Sequence, residues 1–135
     1  MTPEQSFLRI DPDLQPIFAE LRRFEPIFHR EAFGKSIEDF RRRMAPGYWE
    51  VGASGQRYDR DFILKTLGHN PPVDAEAAGW KCSDFGLRML GPDVYLFTYT
   101  LDQNGRITRR STIWEKNDAE WRILFHQGTI VSAQN

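Results

Sequence analysis

Only one cysteine, Cys82, occurs in 135 residues. It cannot form an intramolecular disulfide, so the stapled scaffolds of small secreted domains are excluded. A reducing cytoplasm is the expected compartment. No apolar run approaches the roughly 18 residues needed to cross a bilayer. The opening MTPEQSFLRIDPDLQP has neither the basic nor the apolar region of a signal peptide. Excess charge of one sign is also missing, since 18 Lys and Arg stand against 19 Asp and Glu. That balance leaves no electrostatic footprint for nucleic acid or for an anionic membrane.

Familiar catalytic signatures are missing too. His29, His69 and His126 stand apart without ligand spacing, and neither HExxH nor CxxC occurs, so no metal is expected. No Gly-rich phosphate loop and no GxSxG elbow is present, which argues against a triad hydrolase. Gly52-Ala-Ser-Gly55 reads as a plain turn, and no cofactor is expected.

What remains is an ordinary globular composition, 40% apolar and 13% aromatic, in a length suited to one domain over residues 1–135. The aromatics fit either a well-filled core or a deep aromatic-lined cavity.

The first half has helical periodicity. Asp11 or Asp13 can cap a helix carrying Leu14, Ile17, Phe18, Leu21 and Phe24, and Glu25-Pro26 ends or kinks it. Ser36-Ile-Glu-Asp39 resembles a capping arrangement for a short helix to Met44. Ala45-Pro46-Gly47 reads as a turn and Tyr48–Val51 as a short strand. Tyr58-Asp59 starts a third helix that Gly68 closes.

The second half reads as four strands, Trp80–Leu90, Val94–Leu101, Arg106–Glu115 and Glu120–Val131. Asn104-Gly105 is a strong hairpin signal, because a type I′ turn needs positive φ at both central residues. Helices followed by an antiparallel meander define an α+β domain.

Turn lengths give a register. A two-residue turn at Asn104-Gly105 pairs Tyr99 with Arg110, Phe97 with Thr112 and Tyr95 with Trp114. A four-residue loop over 116–119 pairs Trp114 with Trp121, Arg110 with Phe125 and Thr108 with Gln127. A three-residue loop over 91–93 pairs Leu87 with Phe97 and Phe85 with Tyr99. One face then gathers Phe85, Leu87, Met89, Tyr95, Phe97, Tyr99, Trp114, Trp121, Ile123 and Phe125, with Ser83, Thr108, Arg110, Thr112 and Gln127 among them. The opposite face carries Asp84, Thr100, Arg109 and His126 in one row, read as a solvated or dimer-interface row.

The inward polar residues are the site candidates. Arg110 can bind a carboxylate or enolate oxygen, or pair with Glu50. Tyr99 can donate its hydroxyl or simply fill the core. Thr112 and Gln127 can orient polar groups of a ligand, while Tyr95 and Trp114 supply apolar walls.

The stretches Tyr48–Asp59, Lys81–Phe85, Arg109–Trp114 and Trp121–Thr129 resemble the nuclear transport factor 2-like superfamily. Within it they resemble the SnoaL-like branch and the bacterial domain of unknown function numbered 4440. The resemblance implies a cone with an internal apolar pocket between the helices and a curved sheet. It also implies a homodimer through that sheet. Enzymatic relatives use Asp, His or Tyr inside the cone, and several carry a histidine where Gln127 stands here. Three functions therefore fit. The first is a binder of a small apolar or amphipathic molecule. The second is a proton-transfer enzyme of isomerase, dehydratase or cyclase type, with Glu50 as general base and Arg110 and Tyr99 stabilising an oxyanion. The third is a non-catalytic accessory or dimerisation module.

Overall fold

The computed structural model describes residues 7–132. The reading of the first residues as free of a signal peptide falls, for residues 1–6, outside this range. A 3-10 turn, Pro12–Leu14, leads into α1 (Gln15–Arg22). The apolar stripe of α1 seats Leu21 in the core without exposure. Phe18 stacks on Phe97 at 5.5 Å between centroids. The chain then turns through a cis Glu25–Pro26 peptide.

Helix α2 (Ile37–Arg43) begins as its sequence implies. The Ser36 hydroxyl accepts the Asp39 N–H at 3.2 Å, and the Asp39 carboxylate accepts the Ser36 N–H at 3.2 Å. Such reciprocal capping satisfies donors that the first helical turn cannot. Helix α3 (Arg60–His69) starts where Asp59 accepts the Phe62 N–H at 2.8 Å.

Six strands form one curved, unclosed mixed sheet. They are β1 (Met44–Val51), β2 (Arg57–Asp59), β3 (Lys81–Gly91), β4 (Val94–Gln103), β5 (Arg106–Asn117) and β6 (Glu120–Ile130). Their order is β2-β1-β6-β5-β4-β3. The helices cover the concave face, so the architecture is α+β, as the order of helical and strand patterns implies. The expected meander is present as β3 to β6. The two additional strands extend the sheet past β6, and β1 runs parallel to it. The turn expected at Ala45-Pro46-Gly47 instead lies inside β1, where the register against β6 slips between Met44 and Trp49.

The Asn104-Gly105 hairpin has the expected register, with Tyr99 opposite Arg110, Phe97 opposite Thr112 and Tyr95 opposite Trp114. The β5–β6 register differs from expectation for two reasons. The connection is a two-residue turn, with Asn117 opposite Glu120, and Asp118 adopts φ 57. This shift moves partners by an even step and leaves every side chain on its expected face. The second change does not. A one-residue bulge at Leu124 lies between the pairs Trp114–Ile123 and Ile113–Phe125. An odd step reverses the faces of everything beyond it. Phe125 and Gln127 therefore point outward, while His126 and Gly128 point inward. A second bulge, at Asp84 and Phe85, turns Ser83 outward and Cys82 inward.

The base of the cone is solid. Trp114, Phe97 and Ile123 have no exposure. Trp114 meets Trp121 edge-on at 6.5 Å, and Trp121 meets Tyr95 at 5.6 Å. Among the described residues, no helix is long and apolar enough to cross a membrane.

Candidate functional site

Polar chemistry enters this aromatic core from both layers. Glu25, at the end of the first helical segment, is completely buried. The Tyr99 hydroxyl donates to its Oε1 at 2.8 Å, and the Trp114 indole N–H donates to its Oε2 at 2.9 Å. Burial pushes the Glu25 carboxyl above the usual range, opposed by hydrogen bonding from Thr112, Trp114, Tyr99 and the Ile27 N–H.

Beside it, Thr112 Oγ1 and His126 Nδ1 lie 2.7 Å apart. His126 is 3% exposed, and its Nε2 has no partner. Burial first, then the positive fields of Arg110 and His29, holds the imidazole down at about 3. The ring is therefore neutral at pH 7. A Thr112 hydroxyl turned toward Glu25 accepts from His126 Nδ1–H, which leaves Nε2 as a bare acceptor.

Strand β1 supplies the third part. Glu50 stands beside His126 in the parallel register and is half-buried. Its Oε1 accepts the Tyr48 hydroxyl at 2.7 Å. Burial raises the Glu50 carboxyl, while the Tyr48 hydrogen bond and the Arg110 charge oppose the rise. Tyr48 is itself buried, and that burial keeps its hydroxyl protonated well beyond the ordinary tyrosine range.

Arg110 links these groups. It lies opposite Tyr99 on one side and Gly128 on the other. Its Nε donates to Thr108 Oγ1 at 2.9 Å. A Cβ placed on Gly128 would sit 3.7 Å from the guanidinium carbon, so the side chain lies flat across β6. Its charge reaches His29, Glu50, Cys82, Tyr99 and His126. No carboxylate of a described residue comes within ion-pair distance of it.

Of the residues singled out from sequence, Glu50, Tyr99, Arg110 and Thr112 share this concave region. Tyr95 and Trp114 belong to the packed base. Gln127 does not join them, because the Leu124 bulge turns it to the convex face opposite Ser111. There it lines a groove of about 670 Å³ with Phe7, Thr98 and Thr129. On the same face Asp84 accepts from Thr100 and, at 3.0 Å, from Arg109, so this row exists without His126.

Glu25, Tyr48 and His126 escaped sequence reading as site residues. Glu25 had a usable signal, since it follows Leu21 by four residues and so falls on the buried stripe. Glu50 and Tyr48 likewise share one face of β1. His126 had no such signal, because a bulge decides its direction. Among the described residues no group of His, Cys, Asp and Glu side chains is arranged to hold a metal ion.

The sequence matches no family model and no curated protein. Solved structures do match. A nuclear transport factor 2-like protein from Cytophaga hutchinsonii aligns with TM-score 0.67 at 11% identity, covering 90% of this chain and all of that one, 100%. A protein of unknown function of the DUF3225 family from Pectobacterium atrosepticum aligns with TM-score 0.65 at 18% identity, covering 98% and 99%. A structure from Exiguobacterium sibiricum, named for a calcium/calmodulin-dependent kinase II association domain, aligns with TM-score 0.60 at 13% identity, covering 93% and 100%. At these identities the likeness defines the fold, which is the nuclear transport factor 2-like cone.

Proposed function

We propose that the concave face binds a small apolar or amphipathic molecule, with the ligand's polar group directed at Arg110, Glu50 and His126. The observation that carries this reading is the His126 Nε2 atom, buried and unpaired beside a guanidinium that has no carboxylate partner. Buried polar atoms are normally satisfied, and convergent polar groups in an apolar setting are the usual makeup of a ligand site. Native mass spectrometry of freshly purified protein tests it. The expected result is a co-purified mass that disappears on denaturation and is reduced in Arg110→Gln. A bare chain from every preparation counts against it.

A second reading, proton transfer, draws on the Glu50 carboxyl. Burial raises it toward the pH range where a general base works. His126, held at about 3, is too weak a base for that task. The Tyr99 hydroxyl is already engaged by Glu25, so oxyanion stabilisation would rest mainly on Arg110.

We also assign the chain to the SnoaL-like branch, near the domain numbered 4440, on the four sequence stretches given above. Association into a homodimer through the convex sheet face belongs to the same proposal. An apolar row, Trp49, Phe125, Ile113 and Leu96, crosses that face from β1 to β4. Trp49 is 43% exposed and meets Phe125 at 4.8 Å. The association-domain name of the Exiguobacterium structure is consistent with such assembly. The lone thiol of Cys82 suits a reducing compartment.

A further inference from the structure

We propose that the mouth of the cone is an anion-recognition site that takes the carboxylate or phosphate end of the ligand. The proposal rests on the ligand-binding reading above and names the chemical class of that ligand. Beside the mouth, a recess of about 390 Å³ is lined by Arg22, Arg30 and Lys81, with Pro26, Trp80 and Cys82 as its less polar walls. Cys82 points inward from β3 beside Leu101 and lines this recess, and the charges of Arg22, Arg30 and Arg110, opposed by Glu25, act on its thiol.

Among the described residues these cations have no counter-ion within ion-pair distance. The ion pairs of the described residues join other partners, such as Arg42 with Asp39, Arg109 with Asp84 and Arg122 with Glu115. Arg22 gives one N–H to the Glu25 carbonyl and lies 5.0 Å from the Phe85 ring centroid. That holds its position without neutralising its charge. Arg30 is half-buried and makes no side-chain hydrogen bond to a described residue. Glu76 is the acid in the lining, and it is exposed at the rim.

Two guanidinium groups and the Lys81 ammonium line one space and repel one another, and the half-burial of the two arginines weakens the screening that water would supply. An anion in their midst removes that repulsion and gains charge-assisted hydrogen bonds. A solvated basic face would need no such convergence on an inward-facing thiol. The overall charge of −1 shows that the concentration of positive charge is local rather than a property of the chain. Trp80 and Pro26 beside the arginines suit an amphipathic acid better than a bare inorganic ion. The site separates the two ends of its ligand, with the acid at the arginines and the apolar body toward the aromatic core.

Isothermal titration calorimetry on the full chain tests this with decanoate, decanol and inorganic phosphate. Decanoate is expected to bind at least about tenfold more tightly than decanol, and phosphate to compete with it. Arg30→Gln and Arg22→Gln should each weaken decanoate about tenfold and leave decanol unchanged, and Arg30→Lys should restore part of the loss. The Arg30 side chain makes no hydrogen bond to a described residue, so its two variants keep the test valid if Arg22→Gln does not fold. Equal affinity for decanol and decanoate overturns the anion site while leaving the cone as a binding pocket. Arginine-dependent phosphate binding with neither decyl compound bound supports the anion site and removes the apolar one. Binding of none of the probes overturns both, and so does decanoate affinity unchanged in a folded Arg30→Gln.

Discussion

Glu25 holds two aromatic donors inside the core, and its removal strands both. Glu25→Ala leaves the Tyr99 hydroxyl and the Trp114 indole N–H buried without an acceptor. The expected cost is about 3 kcal/mol, read as a lower denaturant midpoint. His126 gives a prediction of its own. Its folded value of about 3 lies below the ordinary histidine value of 6.5, so the folded protein binds fewer protons. Its contribution is present above pH 6.5 and is lost as pH falls toward 3. The full loss is on the order of 5 kcal/mol. Glu25 has the opposite sign, because its raised carboxyl favours folding at low pH and loses that contribution as pH rises above about 4.5. Denaturation midpoints from pH 7 to pH 4 should therefore fall steeply in wild type and much less in His126→Gln. At this scale alternation along paired strands put Tyr99, Arg110 and Thr112 on the inward face, whereas the direction of Glu50 did not follow from its short strand, which had no predicted partner. Glu25 was hidden behind its reading as a helix terminator.

Strand β6 shows how one extra residue redirects a site. The Asn104-Gly105 turn announces its geometry chemically, and the β4–β5 register followed from it. The 116–119 connection offers Asn117 and Asp118 as turn residues, which hid a tight turn inside an apparent loop. Its even error cost nothing in face assignment. The Leu124 bulge has no composition signal, and it exchanged the directions of His126 and Gln127. The pair provides its own check. Gln127→Ala should change stability by less than about 0.5 kcal/mol, whereas His126→Ala should cost several times more, measured by chemical denaturation. At the start of α2, Ser36→Ala removes one half of the reciprocal cap. A loss of about 1 kcal/mol is expected, with Ser36→Gly milder.

For the whole molecule, the helices-then-strands pattern sufficed to predict an α+β layered domain, because each layer has one apolar face that only the other can cover, while the cone shape came from the resemblance. Cavity and assembly were less legible, since both depend on how tightly side chains from distant strands meet. The convex row around Trp49 gives the proposed homodimer a direct test. Trp49→Glu should convert a dimer to a monomer in sedimentation equilibrium without lowering the thermal midpoint of a monomeric reference. An unchanged mass would place the contact elsewhere.

Strand β6 is the last of the six in sequence, yet it lies between β1 and β5 in the sheet. The earlier strands therefore cannot close on one another as they are made. β1 and β2 form one flap, β3 to β5 form another, and each keeps an unpaired edge until β6 enters between them. Pairings across so long a stretch of chain form slowly, and open edges are prone to join other chains while they wait. The strand that completes the sheet also delivers His126 and Gly128, so the chemistry of the cone arrives in the same event that seals its wall.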